Sequence, residues 1–461
     1  LKSLGIVEKT VPREGAGGME GGRKGKGVQA VPPAEAALRV VPEPLPTGLG
    51  RWGGEDGLSV NAESGELMCP HCWLRFDVGD VKHVSVHDDL RGDPVLGAEV
   101  QQRFHAVRFD GKGRALDAMG VPCQELACPH CHHKLHPGFL ELPQVIYSIV
   151  GAPSAGKSYY LSVMLAAVQE RLAGRFGAFL KDADPTGNAT LNAMKAQLLG
   201  AGTPEEAVLL KTQLDGEMYQ RVMRHGQEVG MPRPFVFLLG QPQEGATHGV
   251  TFYDNAGEHF EPGMDLNDAP GAQHVAHSAA IFFLFDPTSS EPFRRRLAGH
   301  PDPQLTMVGR VDQQDVLLAE LDVRVRALTG LGAQERLDRP LLFLVGKSDV
   351  WRGLLMEEYP AGFARTERVD GALDADAVVA NSSVLREFLV KVCPTVVSIA
   401  EGLSAEVIYF PVSAFGHSPL MLEDGRLAPD PTRLKPEGVA DPVLWALSRL
   451  AGWEFLSVSE E

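Results

Sequence analysis

At 461 residues the chain exceeds one ordinary core, so two or three folded units with unstructured segments between them are expected. Hydrophobic residues make up 44% and charged residues 22%, a globular balance that excludes a fibrous or wholly disordered chain. The 43 Lys and Arg stand against 60 Asp and Glu, a formal net charge of −17, so the field of the whole molecule repels phosphate backbones and anionic lipid and disfavours nucleic acid as the main partner. No apolar run approaches the roughly 18 residues of a membrane span, and the first residues lack the charged-then-apolar pattern of a signal peptide. A cytoplasmic protein without a membrane span is expected.

Residues 1–60 are rich in Gly, Pro and Ala, as in GAGGMEGGRKGKG and VPEPLPTG, and carry neither a period of two nor one of 3.6. They read as a disordered tail, with a small basic excess over residues 1–40 that suits a solvated linker.

Residues 61–142 read as a zinc-ribbon-like module. Cys69-Pro-His-Cys72 and Cys128-Pro-His-Cys131 are two Cys-Pro-x-Cys knuckles, turns in which both thiolates point at one ion, and four thiolates complete a tetrahedral Zn²⁺. In a cytosolic chain such pairs favour metal over disulfide. A four-cysteine site has no open position, so its role is structural. The 55 residues between the pairs contain short strand-like runs, Val81–Val86 and Phe104–Phe109, which predict a β insertion. His71, His130, His132, His133 and His136 lie close by. Cys123 reads as a buried or spare thiol and Cys393 as core.

From residue 143 to 461 the pattern is α/β. Strands are predicted at Val145–Val150, Phe235–Leu239, Val250–Tyr253, Ile281–Phe285, Leu341–Val345 and Val407–Phe410, each a short apolar run suited to a sheet covered on both faces. Helices are predicted after the first strand, near 312–328 and near 441–452. The alternation argues for a doubly wound, mostly parallel sheet, with residues 174–232 as a helical insertion.

Gly151-Ala-Pro-Ser154-Ala155-Gly156-Lys157-Ser158 fits G-x-x-x-x-G-K-[ST] and stands where its physics requires, after a strand and at the start of a helix that continues through Tyr159. The glycines let backbone N–H groups close around phosphate oxygens and the helix N-terminus adds positive potential. Lys157 reaches the β and γ phosphates, and Ser158 can hold Mg²⁺.

Later motifs resemble those of the P-loop GTPases, in the broad translation-factor-related, Ras-like class. Asp254-Asn-Ala-Gly257 looks like that family's D-x-x-G, Gly346-Lys347-Ser-Asp349 its N-K-x-D, and Ser413-Ala414 its S-A element; all occur in the family's order at strand ends. The resemblance implies that Asp254 is a water-mediated Mg²⁺ ligand and Gly257 a backbone donor to the γ-phosphate. It implies further that Lys347 packs on the base, that Asp349 accepts from guanine N1 and N2, and that Ser413-Ala414 supports the base. Ile281–Asp286-Pro-Thr288 looks like the fourth strand and following acidic turn. The combination of knuckles, GAPSAGKSYYL and DNAGEHF is similar to bacterial zinc-ribbon GTPase-like proteins, some associated with multi-gene conflict systems.

The departures from the pattern carry expectations of their own. Gly346 replaces the usual Asn, which loosens guanine selectivity. Glu258 and His259 follow D-x-x-G where a water-orienting Gln is common. A carboxylate beside a γ-phosphate is unfavourable, so His259 is the better candidate for orienting or deprotonating water and hydrolysis is expected to be slow. Thr186 and Thr212 both fit a switch threonine. The leading expectation is a GTP/GDP-binding switch, using Mg²⁺ and Zn²⁺, that engages a protein partner through the inserted region or the zinc module. An ATP-dependent P-loop protein, a nucleotide-gated scaffold without turnover and a zinc-ribbon nucleic-acid binder are its rivals.

Overall fold

The computed structural model describes residues 66–136, 138–209, 218–254, 273–307, 314–369, 371–450 and 453. Seven strands form its main sheet: β1 (Gln144–Gly151), β2 (Phe179–Asp182), β3 (Phe235–Gln241), β4 (Gly245–Asp254), β5 (Ala280–Phe285), β6 (Leu341–Val345) and β7 (Val407–Pro411). Their order across the sheet is β2-β3-β4-β1-β5-β6-β7. β1 runs parallel to β4 and β5, and β5, β6 and β7 continue in parallel. β2 pairs antiparallel with β3, and β3 with β4, so the sheet is mixed. Every residue of β5 and β6 is buried, as apolar runs covered on both faces must be.

Besides two short helices, Gln273–Ala276 and Glu291–Arg296, the described helices are α1 (Lys157–Phe176), α2 (Ala189–Gly200), α3 (Gln314–Thr329), α4 (Ser348–Glu358), α5 (Ala375–Val392), α6 (Pro394–Leu403) and α7 (Asp441–Leu447). α1 buries Leu161, Leu165, Val168 and Leu172 along one stripe and ends on Gly177 in the left-handed conformation, which only a residue without Cβ adopts at no cost. It is tied to the start of α7 by a partly buried Arg171–Asp441 ion pair of 3.0 Å, and Tyr160 Oη donates to the Val439 carbonyl. α3 lies along α6, where Arg326 donates to the Gly402 carbonyl.

Residues 174–232 differ from the helical insertion that their sequence suggests. They hold the end of α1, edge strand β2, helix α2 and a hairpin of Tyr219–Arg224 with Gln227–Pro232. The hairpin turns on His225 and Gly226, both at positive φ, which matches the right-handed twist of its arms. Its inward residues Val222 and Met231 join one apolar cluster with Leu67, Trp73, Phe76, Phe139, Ile146 and Tyr253. The cysteine knuckles, the hairpin and the edge of β1 and β4 therefore share a core.

Candidate nucleotide site and metal centre

The loop between β1 and α1 is shaped by close approach. A Cβ on Gly151 would stand 2.5 Å from the Leu284 carbonyl oxygen of β5, a distance no side chain tolerates. Gly156 caps α1 at φ 96°, and Ser154 also holds a positive φ. The twenty-residue α1 presents its N-terminal N–H groups and the positive end of its dipole to this loop. Lys157 is buried, and its ammonium donates to the carbonyls of Gly151 and Ala152 at 2.8 and 2.9 Å, at the centre of the loop.

Ser158 Oγ donates to Asp254 Oδ2 at 2.7 Å, which joins the first turn of α1 to the end of β4. Asp254 is 1% exposed, and its Oδ1 has no hydrogen-bond partner among the described residues. A buried carboxylate oxygen beside a serine hydroxyl at the rim of a phosphate-type loop fits the oxygen donors of Mg²⁺ and its waters. Burial pushes the Asp254 carboxyl up; the Lys157 charge and the Ser158 hydroxyl oppose that push.

A stability consequence follows from the sign of that shift. Folded Asp254 holds its proton more tightly than the unfolded chain does, so its contribution is present at low pH and is lost as pH rises through the raised folded value. Asparagine does not titrate. Asp254→Asn should therefore raise the thermal midpoint at pH 8, by a margin that narrows toward pH 5. Thermal unfolding across that range checks it; a variant less stable than wild type at pH 8 would refute the burial argument.

The opposite wall is built by β5, β6 and β7. Asp349, on the first turn of α4, accepts from Ser413 Oγ at 2.5 Å, and Ser413 Oγ in turn accepts from the Gly416 N–H. Burial raises the Asp349 carboxyl above its usual range, the Ser413 hydroxyl opposes the rise and nearby Asp302 adds to it. Ala155, Tyr159, Leu284, Ala414 and Phe415 line the recess beside this carboxylate. Tyr159 meets Phe415 edge to face at 5.0 Å and accepts from the Leu209 N–H.

Lys347 sits at φ 54°, and its ammonium donates to Asp286 Oδ2 at 2.6 Å, Gln304 Oε1 at 2.7 Å and Thr288 Oγ1 at 3.0 Å. The partner Asp286 is itself 1% exposed. Gln304 and Gln314 belong to this polar cluster and escape sequence reasoning, because nothing local marks them; Gln314 Nε2 donates to the Asp286 carbonyl. A Cβ on Gly346 would lie 3.1 Å from the Phe285 carbonyl oxygen and 3.3 Å from Leu284 Cδ1, tighter than most side-chain contacts.

Lys157, Ser158, Asp254, Lys347, Asp349, Ser413 and Ala414 thus gather at the carboxyl ends of β1, β4, β6 and β7. Gly257, Glu258, His259 and Thr212 lie outside the described residues. Thr186 N donates to Asp184 Oδ1, and Asp184 and Gly187 line a small recess with Pro70, His71 and His136 beside the knuckles.

The two knuckles repeat each other. Trp73 N donates to the Cys69 carbonyl and Cys69 N to Leu74 O; His132 N donates to the Cys128 carbonyl and Cys128 N to His133 O. His71 N donates to Cys69 Sγ, as His130 N does to Cys128 Sγ. Trp73 and His132 both adopt positive φ. The histidines cross over: His71 Nε2 hydrogen-bonds the Lys134 carbonyl, and His130 Nε2 the Arg75 carbonyl, each on the other knuckle. Burial and the neighbouring His133 ring bring His71 down to about 3, so it is neutral.

All four sulfurs are fully buried and lie within 4.8 Å of one another, with Cys69–Cys131 and Cys72–Cys128 separations of 3.7 and 3.8 Å. A tetrahedron with metal–sulfur bonds of about 2.3 Å has edges of about 3.8 Å. The donor set therefore fits one metal ion. None of the nearby histidines replaces a cysteine in this cluster. Cys123 is buried apart from it, and burial pushes Cys393 up to about 12, as suits a core thiol.

No protein-family model matches the chain. It is 27% identical over 370 residues to SaeC of Mycolicibacterium smegmatis, named for a proposed role in ESX-1 scaffolding and assembly, and the match covers 72% of this chain and 82% of that protein. Among solved structures, the GTP-bound Ski7 GTPase-like domain of S. cerevisiae is similar at 12% identity, 63% and 48% coverage of this chain and that chain, and a TM-score of 0.24. Era of Aquifex aeolicus bound to GDP and aluminium fluoride is similar at 12% identity, 59% and 51% coverage, and a TM-score of 0.21. The chain spans about half the length of these structures. Likeness at this level carries neither ligand nor site residues across. Among the described residues, no helix is long and apolar enough to cross a membrane.

Proposed function

We propose that the chain is a guanine-nucleotide-binding switch of Ras-like architecture, using Mg²⁺, with a structural zinc ion in the four-cysteine cluster and a protein as its partner. The observation that carries this reading is the meeting of two half-sites at one edge of the sheet. Lys157, Ser158 and Asp254 suit a Mg²⁺-bound triphosphate, and the Asp349–Ser413 pair suits a base with adjacent donors. In this reading Lys157 neutralises the β and γ phosphates, Asp254 and Ser158 hold the cation and its waters, and Asp349 selects guanine over adenine, which lacks the paired N1 and N2 donors. Lys347, held by Asp286 and Gln304, contributes its methylene stem to the face of the base. Four thiolates leave zinc no open coordination position, so it shapes the knuckles and takes no part in chemistry.

Equilibrium binding of GTP, GDP and ATP in Mg²⁺ tests the assignment. Wild type should prefer guanine nucleotides by about 100-fold, and Asp349→Ala should reduce the preference to within about 3-fold, because a charge-assisted pair of hydrogen bonds contributes about 3 kcal/mol. Equal ATP binding, indifferent to Asp349, would favour an ATP-dependent protein instead.

A second reading, a nucleotide-gated scaffold without turnover, draws on the resemblance to SaeC. Multiple-turnover phosphate release, with His259→Ala beside wild type, separates the two.

A further inference from the structure

Strand β4 ends in two adjacent residues whose side chains leave on opposite faces, as alternation along a strand requires. Asp254 faces the phosphate loop and accepts from Ser158. Tyr253, fully buried, faces the cysteine cluster: its Oη donates to the Pro70 carbonyl at 2.6 Å, and Pro70 stands between Cys69 and His71 in the first knuckle. The Tyr253 ring lies 5.3 Å from Trp73 of that knuckle and stacks on His274 at 4.7 Å. Trp73 stacks on His277 at 5.7 Å. His274 belongs to the short helix Gln273–Ala276 and hydrogen-bonds Ser148 of β1.

From metal ligand to proposed cation ligand the connection is short. Cys69 is bonded to Pro70, Pro70 accepts from Tyr253, Tyr253 is bonded to Asp254, and Asp254 accepts from Ser158. Nothing in the chemistry of either site requires this link, since a structural knuckle could pack on any apolar surface. Resting on the nucleotide reading above, the geometry points to Tyr253 as a positioning residue that couples occupancy of the four-cysteine site to Mg²⁺-nucleotide binding. A metal-fixed knuckle holds the Pro70 carbonyl in one place, the Tyr253 hydroxyl is held by that carbonyl, and Asp254 is thereby aimed at Ser158. Coupling between two ligands is reciprocal, so Mg²⁺-nucleotide must tighten metal binding by the same factor by which the metal tightens Mg²⁺-nucleotide binding.

The experiment uses the full chain in wild-type and Tyr253→Phe forms, the latter keeping the ring stack and losing only the hydroxyl. Zinc affinity is measured by equilibrium competition with a colorimetric chelator, in Mg²⁺ alone, in Mg²⁺ with a non-hydrolysable GTP analogue, and in the analogue with no Mg²⁺. Mg²⁺ and analogue together should tighten zinc about 5-fold in wild type and less than about 2-fold in Tyr253→Phe, and the analogue without Mg²⁺ should change neither. A purely structural role for Tyr253 predicts the opposite pattern, a zinc affinity lowered equally in all three conditions with the coupling intact, and that result overturns the proposal. Wild-type protein that binds Mg²⁺ and analogue with no change in zinc affinity also overturns it, while leaving the nucleotide reading standing. Wild-type protein that binds no nucleotide overturns both. Where Tyr253→Phe fails to fold, an unchanged zinc affinity in wild type still overturns the proposal.

Discussion

Lys157→Ala is expected to weaken triphosphate binding by at least about 100-fold, the largest effect of any single change at the nucleotide site. The ammonium lies at the centre of the loop, bridging the carbonyls of Gly151 and Ala152, and it is the buried cation nearest to where phosphate charge would accumulate. Hydrogen bonds to charged groups contribute about 1.5–3 kcal/mol each, and about 1.4 kcal/mol is tenfold in affinity, so losing two phosphate contacts accounts for the estimate. The loss should be uniform across GTP, GDP and ATP, because Lys157 touches no base. Fluorescent-nucleotide titration measures it, with thermal unfolding as a control for the loop carbonyls left without their partner. Unchanged affinity in a folded variant would remove the phosphate assignment from this loop altogether.

Stripping the metal, or substituting Cys131→Ser, is expected to cost about 5 kcal/mol or more and to unfold the knuckle region. Four fully buried sulfurs meet at the centre of a cluster that also holds Leu67, Trp73, Phe76, Phe139, Val222 and Tyr253. Without an ion, buried thiols crowd one another there and lose their charge-stabilising partner. Structural zinc sites of this kind contribute about 10–16 kcal/mol of apparent binding energy, part of which is folding energy. Because the hairpin Tyr219–Pro232 packs on the same cluster, the damage should spread beyond the knuckles. Metal analysis of purified protein and thermal unfolding with and without chelator provide the check. A protein free of stoichiometric metal and indifferent to chelator would refute the structural role.

The strand–loop–helix turn at Gly151–Ser158 was legible in the sequence because its spacing is set by local geometry: a strand end, a left-handed glycine and a helix start all fall within eight residues. The positions of Asp254 at a strand end and Asp349 just beyond one were legible for a related reason, since each follows an apolar run. The partners of Lys347 were not, because Asp286 and Gln304 reach it from 61 and 43 residues away and no local signal predicts such a meeting. The strands within 174–232 escaped for want of pattern. β2 has only four residues, and the hairpin turns on His-Gly, without the more telling Asn-Gly, with Gly230 and Pro232 diluting its second arm. Nor does sequence show that the knuckles lean on each other through crossed histidines, since that depends on how two distant turns face in space.

The shared core has a consequence for how the protein is made. Cys69 meets Cys131 across 62 residues, and the cluster around them is closed by Val222, Met231 and Tyr253. A chain emerging from the ribosome therefore exposes its first thiol pair long before the second exists, and both pairs before the last wall of their enclosure is synthesised. Through that interval the thiols must stay reduced and the apolar side chains unaggregated, so closure of the four-cysteine cluster is a late event, completed only when the strand that ends in Asp254 has been built.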